Sequence, residues 1–303
     1  APEDYRQRVL VSTKSAVSDG GLGLGDYQPS VGFGIRTEEQ FAAVLEQSLN
    51  RLKQPYVDFY HLWICHTKQQ FDEAFKPGGW YAGLLKARES GRIKHLGITT
   101  HADADTIIGF LETGVFETVT LPLNVLNVTR LKAVEYCAKK GIPVLAMNPL
   151  GGGLLAADSR LKELALKYLL SLKNVHILVG FTAVEEVDYA WRMMEEFNRS
   201  PISTEDILKE VRAMIPDAEP HCTGCGYCQP CPQFIEVGSA LSHYNLYHYL
   251  HLQEAKQAFS ALQWNPRYRL SSCVACGQCE KRCPNSLPVR KIIENAKKVL
   301  YDK

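Results

Sequence analysis

Hydrophobic and polar residues along the first two-thirds of the chain alternate in the pattern of repeated βα units. Short apolar runs predict strands, and each is followed by a segment whose apolar residues recur with the period of a helix. In the segment 37–52, Thr37 and Gln40 have the spacing of a capping box. The predicted apolar face of this helix consists of Phe41, Val44, Leu45, Leu49 and Leu52. Repetition of the pattern predicts an α/β fold with a parallel sheet.

Six strands are predicted in this part of the chain. They are RVLVSTK, VDFYHLWI, IKHLGITT, FETVTLPLN, IPVLAMNPL and VHILVGF. Repeated βα units build either an open doubly wound sheet or a closed barrel, and the spacing of the strands is compatible with both. A (β/α)8 TIM barrel has about eight strands, so a barrel here requires two more strands before Ala1.

The character of the sequence changes between Pro201 and Glu219, where cysteine-rich segments replace the βα units. We therefore predict one domain at residues 1–200 and a second at residues 201–303. Eight of the ten cysteines lie in the second domain. Disulfide scaffolds distribute cysteines through a small secreted domain, whereas clustering at one end of a chain with no visible signal peptide indicates metal binding.

The clustered cysteines form two motifs with the spacing of iron–sulfur ligands. The segments CTGCGYCQPCP and CVACGQCEKRCP follow the C-x2-C-x2-C-x3-C-P run of bacterial ferredoxins, the first being one residue shorter before its fourth cysteine. In that run the fourth cysteine ligates the other cluster. Two [4Fe–4S] clusters are therefore predicted, one held by Cys222, Cys225, Cys228 and Cys283 and the other by Cys273, Cys276, Cys279 and Cys231. Zinc bound by four thiolates is the alternative.

Composition restricts the classes of partner. The chain has 46% hydrophobic and 22% charged residues and a formal net charge of +1. These values are typical of a soluble globular protein and give no reason to expect nucleic acid or an acidic membrane as a partner. No apolar run is long enough to span a bilayer and no signal peptide is visible, so we expect a cytoplasmic protein.

Six segments occur in the order found in a known enzyme family. They are VLVSTK, VDFYHLW, GRIKHLGITTH, LPLNVLN, AMNPLGGGLLA and ILVGFTAVEEV, and CTGCGYC and CVACGQC follow them. On these segments, which extend over nearly the whole chain, the sequence resembles the aldo/keto reductases, specifically the subgroup with a C-terminal ferredoxin domain. The resemblance implies a (β/α)8 barrel with VLVSTK as its third strand, the first two preceding Ala1, and a small α-helical ferredoxin-like domain.

The resemblance also implies hydride transfer between a nicotinamide cofactor and a carbonyl, with a catalytic tetrad of Asp, Tyr, Lys and His. Lys14 matches the lysine, and a lysine in a buried strand is costly unless it is paired or used. The Asp and Tyr positions precede Ala1. The histidine position is occupied by Trp63, whose indole can only donate a hydrogen bond, and His61 lies two residues earlier, one layer deeper. This departure counts against ordinary carbonyl reduction.

By the same resemblance, nine residues are expected to contact the cofactor. They are Thr99, Thr100, Asn124, Asn148, Gly151, Gly152, Gly153, Gly180 and Thr182. The three consecutive glycines would let the backbone approach a phosphate, although a tight βα turn also explains them. The family's basic residue for a 2′-phosphate appears as Glu186 and its helix asparagine as Ala190, so we expect NAD(H) rather than NADP(H).

Two functions follow as hypotheses. The first is an oxygen-sensitive oxidoreductase that acts on a small carbonyl or hydroxy compound with a nicotinamide cofactor. Its clusters pass single electrons to or from a redox protein partner, or to the barrel site, with a purely structural role of the clusters as the alternative. The second is a non-catalytic electron-transfer or scaffold subunit of a redox complex. Trp63, Glu186 and Ala190 favour the second, whereas Lys14 and the glycines at 151–153 favour the first.

Other residues with reactive side chains are expected to have structural roles. Cys65 and Cys137 are predicted to be buried. The GLGLG segment at residues 21–25 lacks the G-x-G-x-x-G spacing and is expected to form a loop over the active face. One helix near the clusters is expected to pack through aromatic residues, and its histidines are His243, His248 and His251.

Overall fold

The computed structural model of the chain describes residues 5–17, 30, 32–216 and 221–301, so the GLGLG segment lies outside the described residues. The strands are β1 (Ser12–Ser15), β2 (Val57–Leu62), β3 (Ile93–Thr99), β4 (Thr118–Pro122), β5 (Val144–Met147) and β6 (Val175–Ile177). The helices are α1 (Tyr5–Arg8), α2 (Glu38–Leu52), α3 (Lys68–Ala74), α4 (Trp80–Glu89), α5 (Ala104–Glu112), α6 (Leu131–Lys140), α7 (Ser159–Leu170), α8 (Val184–Arg199), α9 (Thr204–Met214), α10 (Val237–Leu250), α11 (Gln253–Leu262), α12 (Gln278–Lys281) and α13 (Val289–Tyr301). Short 3-10 helices occupy Gly151–Ala156 and Leu270–Ser272.

The six strands form one sheet in the order β1-β2-β3-β4-β5-β6, with at least one helix between successive strands. The predicted α/β class is thereby confirmed. The pairs β1–β2, β2–β3 and β3–β4 are parallel. Their register places Lys14 opposite His61, His61 opposite Gly97, and Gly97 opposite Thr118. We call these four residues, one on each of four neighbouring strands, the Lys14–Thr118 row.

Contacts within the chain divide it into two compact units. The first unit is Ala1–Leu121 with Glu135–Val144, and the second is Pro122–Val134 with Leu145–Lys303. The first unit contains β1 to β3 and most of β4, while the second contains most of β5, all of β6 and the cysteine-rich segment. No helix among the described residues is long and apolar enough to cross a bilayer.

Helix α2 of the first unit begins at the predicted capping box, in which the Thr37 hydroxyl accepts from the Gln40 backbone N–H and the Gln40 side chain accepts from the Thr37 N–H. The prediction for Leu52 is wrong, since this residue is 39% exposed. Leu52 is the last residue of the helix, and Lys53 turns the chain away in a left-handed conformation. The other predicted core residues are buried, namely Phe41, Val44, Leu45 and Leu49.

Three local features of the first unit differ from the sequence prediction. Strand β1 begins at Ser12, although the predicted strand begins at Arg8, which is the last residue of α1. Strand β2 ends at Leu62 rather than continuing to Ile64, because Ile64 adopts a left-handed φ of 55° that breaks the extended backbone. Helix α3 is not predicted from the sequence. It is a seven-residue helix held at its start by a second capping box, formed by Thr67 and Gln70.

The cysteine-rich part of the second unit has its own apolar core. Helices α10 and α11, the predicted helical insert, lie between the two cysteine motifs and bury Leu241, Tyr244 and Phe259. Of the three histidines, His248 stacks on Tyr244 with ring centroids 5.1 Å apart, and His243 Nδ1 lies 3.3 Å from a carbonyl oxygen of its own helix. His251 is the exposed residue that follows α10, in a left-handed conformation with a φ of 54°.

Candidate functional site

Lys14 and Trp63 are brought together at the end of β1 in the first unit. The Nζ atom of Lys14 lies 4.6 Å from the centroid of the Trp63 ring, in cation–π contact. The expectation of a buried lysine is wrong, because Lys14 taken as a whole is exposed to solvent. Protein around the ammonium group nevertheless removes water from it, and this desolvation lowers the pKa of Lys14.

Trp63 is held from two sides. Its backbone N–H donates to the Ser15 carbonyl over 2.8 Å, which extends the β1–β2 ladder by one residue beyond Leu62. Its ring lies against Phe33, with centroids 4.7 Å apart. The half-buried indole is therefore held in place beside the Lys14 ammonium. It occupies the position where the family resemblance expects a histidine.

His61 is buried in the Lys14–Thr118 row, with an exposed fraction of 3%. Its Nδ1 lies 3.0 Å from the Ser12 hydroxyl, and its Nε2 has no hydrogen-bond partner among the described residues. Burial, with a smaller contribution from the Lys14 charge, lowers the pKa of His61 to about 4, so the imidazole is neutral at pH 7. Gly97 makes room for the ring, since an added Cβ would lie 2.3 Å from Nε2.

The predicted cofactor residues Thr99 and Thr100 are both buried at the end of β3. The Thr100 hydroxyl donates to the Cys65 carbonyl and accepts from the Ala102 N–H, so it stabilises the turn after the strand. Cys65 is buried, and burial raises the pKa of its thiol to about 12. Burial likewise raises the pKa of Cys137 to about 11. Both thiols are thus protonated and unreactive near neutral pH.

Asn124 and Asn148 lie together in the second unit. The Asn124 Oδ1 accepts from the backbone N–H groups of Leu126 and Asn127, and its Nδ2 donates to the Asn148 carbonyl over 3.0 Å. Asn148 adopts a left-handed φ of 60°. The structure therefore assigns the Asn124 side chain a loop-forming role in addition to the cofactor contact expected of it.

The glycines at 151–153 contact the first cysteine motif. All three have left-handed φ values, of 60°, 71° and 100°. An added Cβ on Gly152 would lie 2.6 Å from the Thr223 carbonyl oxygen, and one on Gly151 would lie 3.1 Å from His221 Nε2. At Gly153 an added Cβ would meet no described atom within 4 Å. Gly151 and Gly152 thus let the residues on either side of Cys222 pack closely against the backbone. Gly153 has no such neighbour.

Glu186 supplies an anion at the start of α8. Its carboxylate accepts from the Thr182 backbone N–H over 2.7 Å and from the Thr182 hydroxyl over 3.2 Å. The backbone hydrogen bond is the main reason that the pKa of Glu186 lies below its usual range. The Thr182 N–H, which a phosphate at this helix start would need, is therefore already bonded to Glu186. An added Cβ on Gly180 would meet no described atom within 4 Å.

The motif cysteines line two recesses in the second unit. The first recess, of about 360 Å³ with its open mouth included, is lined by Cys222, Cys225, Cys228 and Cys283. The second, of about 390 Å³ measured in the same way, is lined by Cys231, Cys273, Cys276 and Cys279. These are the two groups of four that the motif spacing predicts, and apolar side chains form much of both walls. Among the described residues, no three His, Cys, Asp or Glu side chains are arranged to hold a single metal ion.

The loops that carry the cysteines are fixed by side-chain amides. Asn245 on α10 donates to the Cys222 carbonyl over 2.7 Å. The Gln229 side chain donates to the Ile235 carbonyl over 2.7 Å and accepts from the Cys231 N–H over 2.8 Å. The ligand positions are therefore set by the fold around them.

The two recesses differ in their surroundings. The first adjoins the loops that follow β4 and β5: besides the Gly152–Thr223 approach, the buried Arg130 donates to the Asn285 side chain over 3.2 Å, two residues after Cys283. The second recess contains Cys276, which is exposed. His221, Thr223 and Arg130 were not among the predicted site residues. Only the adjacency of His221 and Thr223 to Cys222 is visible in the sequence.

Comparison with known proteins identifies two families in the chain. The model of the Aldo/keto reductase family matches residues 1–163, more than half of the chain, and that of the 4Fe-4S dicluster domain matches residues 221–288. The aldo-keto reductase AKR11C1 from Bacillus halodurans has the same fold: its holo form is 18% identical over 69% of this chain and 74% of its own, with a TM-score of 0.52, and its apo form is 17% identical over 69% and 73%, with the same TM-score. No curated protein matches the chain. The chain therefore belongs to the aldo/keto reductase family and carries a 4Fe-4S dicluster domain near its C-terminus.

Proposed function

We propose that the protein is an oxidoreductase that binds one [4Fe–4S] cluster in each recess. The observation that carries this proposal is the exchange of one cysteine between motifs: Cys283 of the second motif lies in the first recess, and Cys231 of the first motif lies in the second. Four cysteines in a largely apolar wall suit a cluster, which supplies one-electron transfer when bound. Iron and sulfide analysis with EPR of anaerobically prepared protein tests it, and zinc without iron would overturn it.

The reaction we propose is hydride transfer between a nicotinamide cofactor and a small carbonyl or hydroxy compound. Family membership and Lys14 support it. The Lys14 ammonium would donate a hydrogen bond to the substrate oxygen, and Trp63 would hold that ammonium in place through its ring. His61 is neutral and bonded to Ser12, so we assign it a positioning role beside Lys14 rather than acid–base chemistry.

For the cofactor we propose NAD(H) in preference to NADP(H). The Glu186 carboxylate caps the start of α8 through Thr182, and its charge would repel a 2′-phosphate there. Gly153 and Gly180 have open surroundings and are the glycines best suited to a close cofactor contact. Comparing NADH with NADPH in equilibrium binding under anaerobic conditions tests this preference.

We propose that electrons pass between the cofactor and a partner by way of the first recess and then the second. The loops after β4 and β5 adjoin the first recess, while the second contains the exposed Cys276. In this step NADH becomes NAD⁺, one electron enters each of the two clusters, and one proton is released to solvent. The hydride of one NADH reduces either the two clusters or a carbonyl, so these are alternative outcomes of one turnover. Adding NADH to the anaerobic protein should bleach the visible absorbance of the clusters. Binding of NADH without bleaching would contradict this route.

The alternative that we retain is a non-catalytic electron-transfer subunit of a redox complex. The observation in its favour is that two of the residues expected to bind the cofactor already contact other residues of the protein. Thr223 lies against Gly152, and the Glu186 carboxylate accepts a hydrogen bond from the Thr182 N–H. Failure of both NADH and NADPH to bind cluster-loaded protein would establish this alternative over the enzyme.

A further inference from the structure

The second recess has an exposed apolar rim. Phe234 is 83% exposed and Val274 is 62% exposed, and each lies close in sequence to a cysteine of this recess, Cys231 and Cys273 respectively. Among the eight motif cysteines, all of them described, only Cys276 is exposed. Large apolar side chains beside an open site are typical of an interaction surface. In the first recess, by contrast, the lining residues Leu287 and Val289 are buried.

Basic residues surround this rim. Arg290 lines the second recess, and the Arg282 guanidinium donates to the Pro230 carbonyl, next to Cys231, over 2.8 Å. Lys281 is exposed on α12 between the last two motif cysteines. The acidic side chain nearest to them along the chain, Glu280, is in an ion pair with Arg290. An exposed apolar patch with basic residues around it is complementary to an acidic partner.

The charge of the whole segment supports the same polarity. Residues 221–303 contain ten Lys and Arg and five Asp and Glu, a formal net charge of +5, whereas the complete chain has +1. An oxidised [4Fe–4S] core with four thiolates carries a charge of −2, so two bound clusters would lower the formal charge of the segment to about +1, and the positive field then comes from the cations beside the second recess. Such a field accelerates encounters with an acidic protein and weakens as salt is added.

We propose that Phe234, Val274, Lys281, Arg282 and Arg290, the recess-two rim, form the docking surface for an acidic one-electron carrier protein. The inference rests on the proposed function, because it requires a cluster in the second recess. In each encounter the carrier loses one electron and this protein gains it, or the reverse, and no bond is formed or broken.

The test uses the full chain with both clusters and a reduced acidic [2Fe–2S] ferredoxin as the probe. Stopped-flow electron transfer is measured at increasing salt for Phe234→Ala and Arg282→Glu. Two matched controls carry the same changes away from the rim: Trp264→Ala, an aromatic residue 85% exposed after α11, and Lys298→Glu, an exposed cation two turns beyond Arg290 on α13. Reduction by dithionite and iron content are recorded for every variant.

We expect Arg282→Glu to slow electron transfer from ferredoxin by about tenfold at low salt and to flatten its salt dependence. Phe234→Ala should weaken ferredoxin binding severalfold, and neither control should change either quantity. Equal effects of rim and control variants would overturn the docking surface. So would rim-dependent binding to anionic vesicles without any effect on ferredoxin. Wild-type protein without iron would instead overturn the proposed function and, with it, this inference.

Discussion

The ammonium of Lys14 lies over the ring of Trp63, with 4.6 Å between Nζ and the ring centroid. Lys14 occupies the position that the family resemblance expects for the tetrad lysine, and Trp63 occupies the position expected for the tetrad histidine. The tryptophan can hold the cation but cannot exchange a proton with a substrate.

Trp63→His should raise carbonyl reduction by at least about tenfold, because the imidazole can donate to or accept from a substrate oxygen, as the indole cannot. The measurement is NADH consumption with a small aldehyde under anaerobic conditions. Trp63→Phe is the matched control, since it keeps an aromatic ring and adds no acid or base. Equal activity of the two variants would mean that an imidazole at this position adds nothing to the reaction.

Acid should destabilise the protein through His61. The pKa of this histidine is lowered by burial from its ordinary value of 6.5 to about 4, so as the pH falls from 6.5 towards 4 the unfolded chain binds a proton that the folded chain does not. Stability is therefore complete above pH 6.5 and is lost below it, by about 2 kcal/mol at pH 5.

His61→Gln should remove this part of the pH dependence while leaving that of the carboxylates. Chemical unfolding followed by tryptophan fluorescence at pH 7.5 and pH 5 gives the comparison. Only the difference between the two pH values is used, since the substitution also changes packing against Gly97. An unchanged pH difference would show that His61 is protonated in the folded protein.

Gly152→Ala and Gly153→Ala should have different effects, the first on the cluster site and the second on cofactor binding. Both place a side chain at a left-handed φ, but only alanine at 152 meets the Thr223 carbonyl, 2.6 Å from its Cβ. Gly152→Ala should cost about 1–3 kcal/mol of stability and alter the EPR signal of the cluster in the first recess. Gly153→Ala should leave that signal unchanged and weaken NADH binding. The reverse pattern would assign the two glycines oppositely.

The exchange of cysteines between motifs predicts which pairs of substitutions act on one cluster. Cys222→Ser and Cys283→Ser should affect the same cluster, because both residues line the first recess, so the double variant should retain about half of the wild-type iron. Combining Cys222→Ser with Cys279→Ser should affect both clusters, since Cys279 lines the second recess. EPR and iron analysis distinguish the two double variants. Equal iron loss in both would contradict the exchange.

Glu186→Gln should increase the affinity for NADPH relative to NADH, since the side chain keeps its hydrogen-bond acceptor toward Thr182 and loses the charge. Fluorescence titration with both cofactors measures the ratio. Glu185→Gln, one residue earlier on an exposed position of the same helix, is the control. An unchanged ratio would place the 2′-phosphate elsewhere.

Local patterns in the sequence were sufficient for much of the fold. The capping box at Thr37 and the apolar period after it determine α2, and the spacing within the two cysteine motifs groups the cysteines as the recesses do. Such features depend on residues close together in the chain, so a single sequence displays them.

Relationships across the chain were not predictable in this way. The contact of Gly152 with Thr223 joins residues 71 positions apart, and the glycine pattern alone suggested a phosphate. The partnership of Ser12 with His61 depends on the register of β1 against β2, which no local signal specifies. The prediction that Leu52 is buried was wrong for a different reason. The apolar period continues to the last residue of α2, but the helix stops contacting the core where the chain turns at Lys53.

The exchange of Cys231 and Cys283 also limits how this segment can be divided. Each motif lines one recess with three cysteines and the other recess with one, so neither motif alone completes a recess. A gene fusion or truncation that keeps one motif would leave two incomplete sites rather than one complete one. Transplanting a cluster from this protein therefore requires moving both motifs together with the α10–α11 hairpin that joins them.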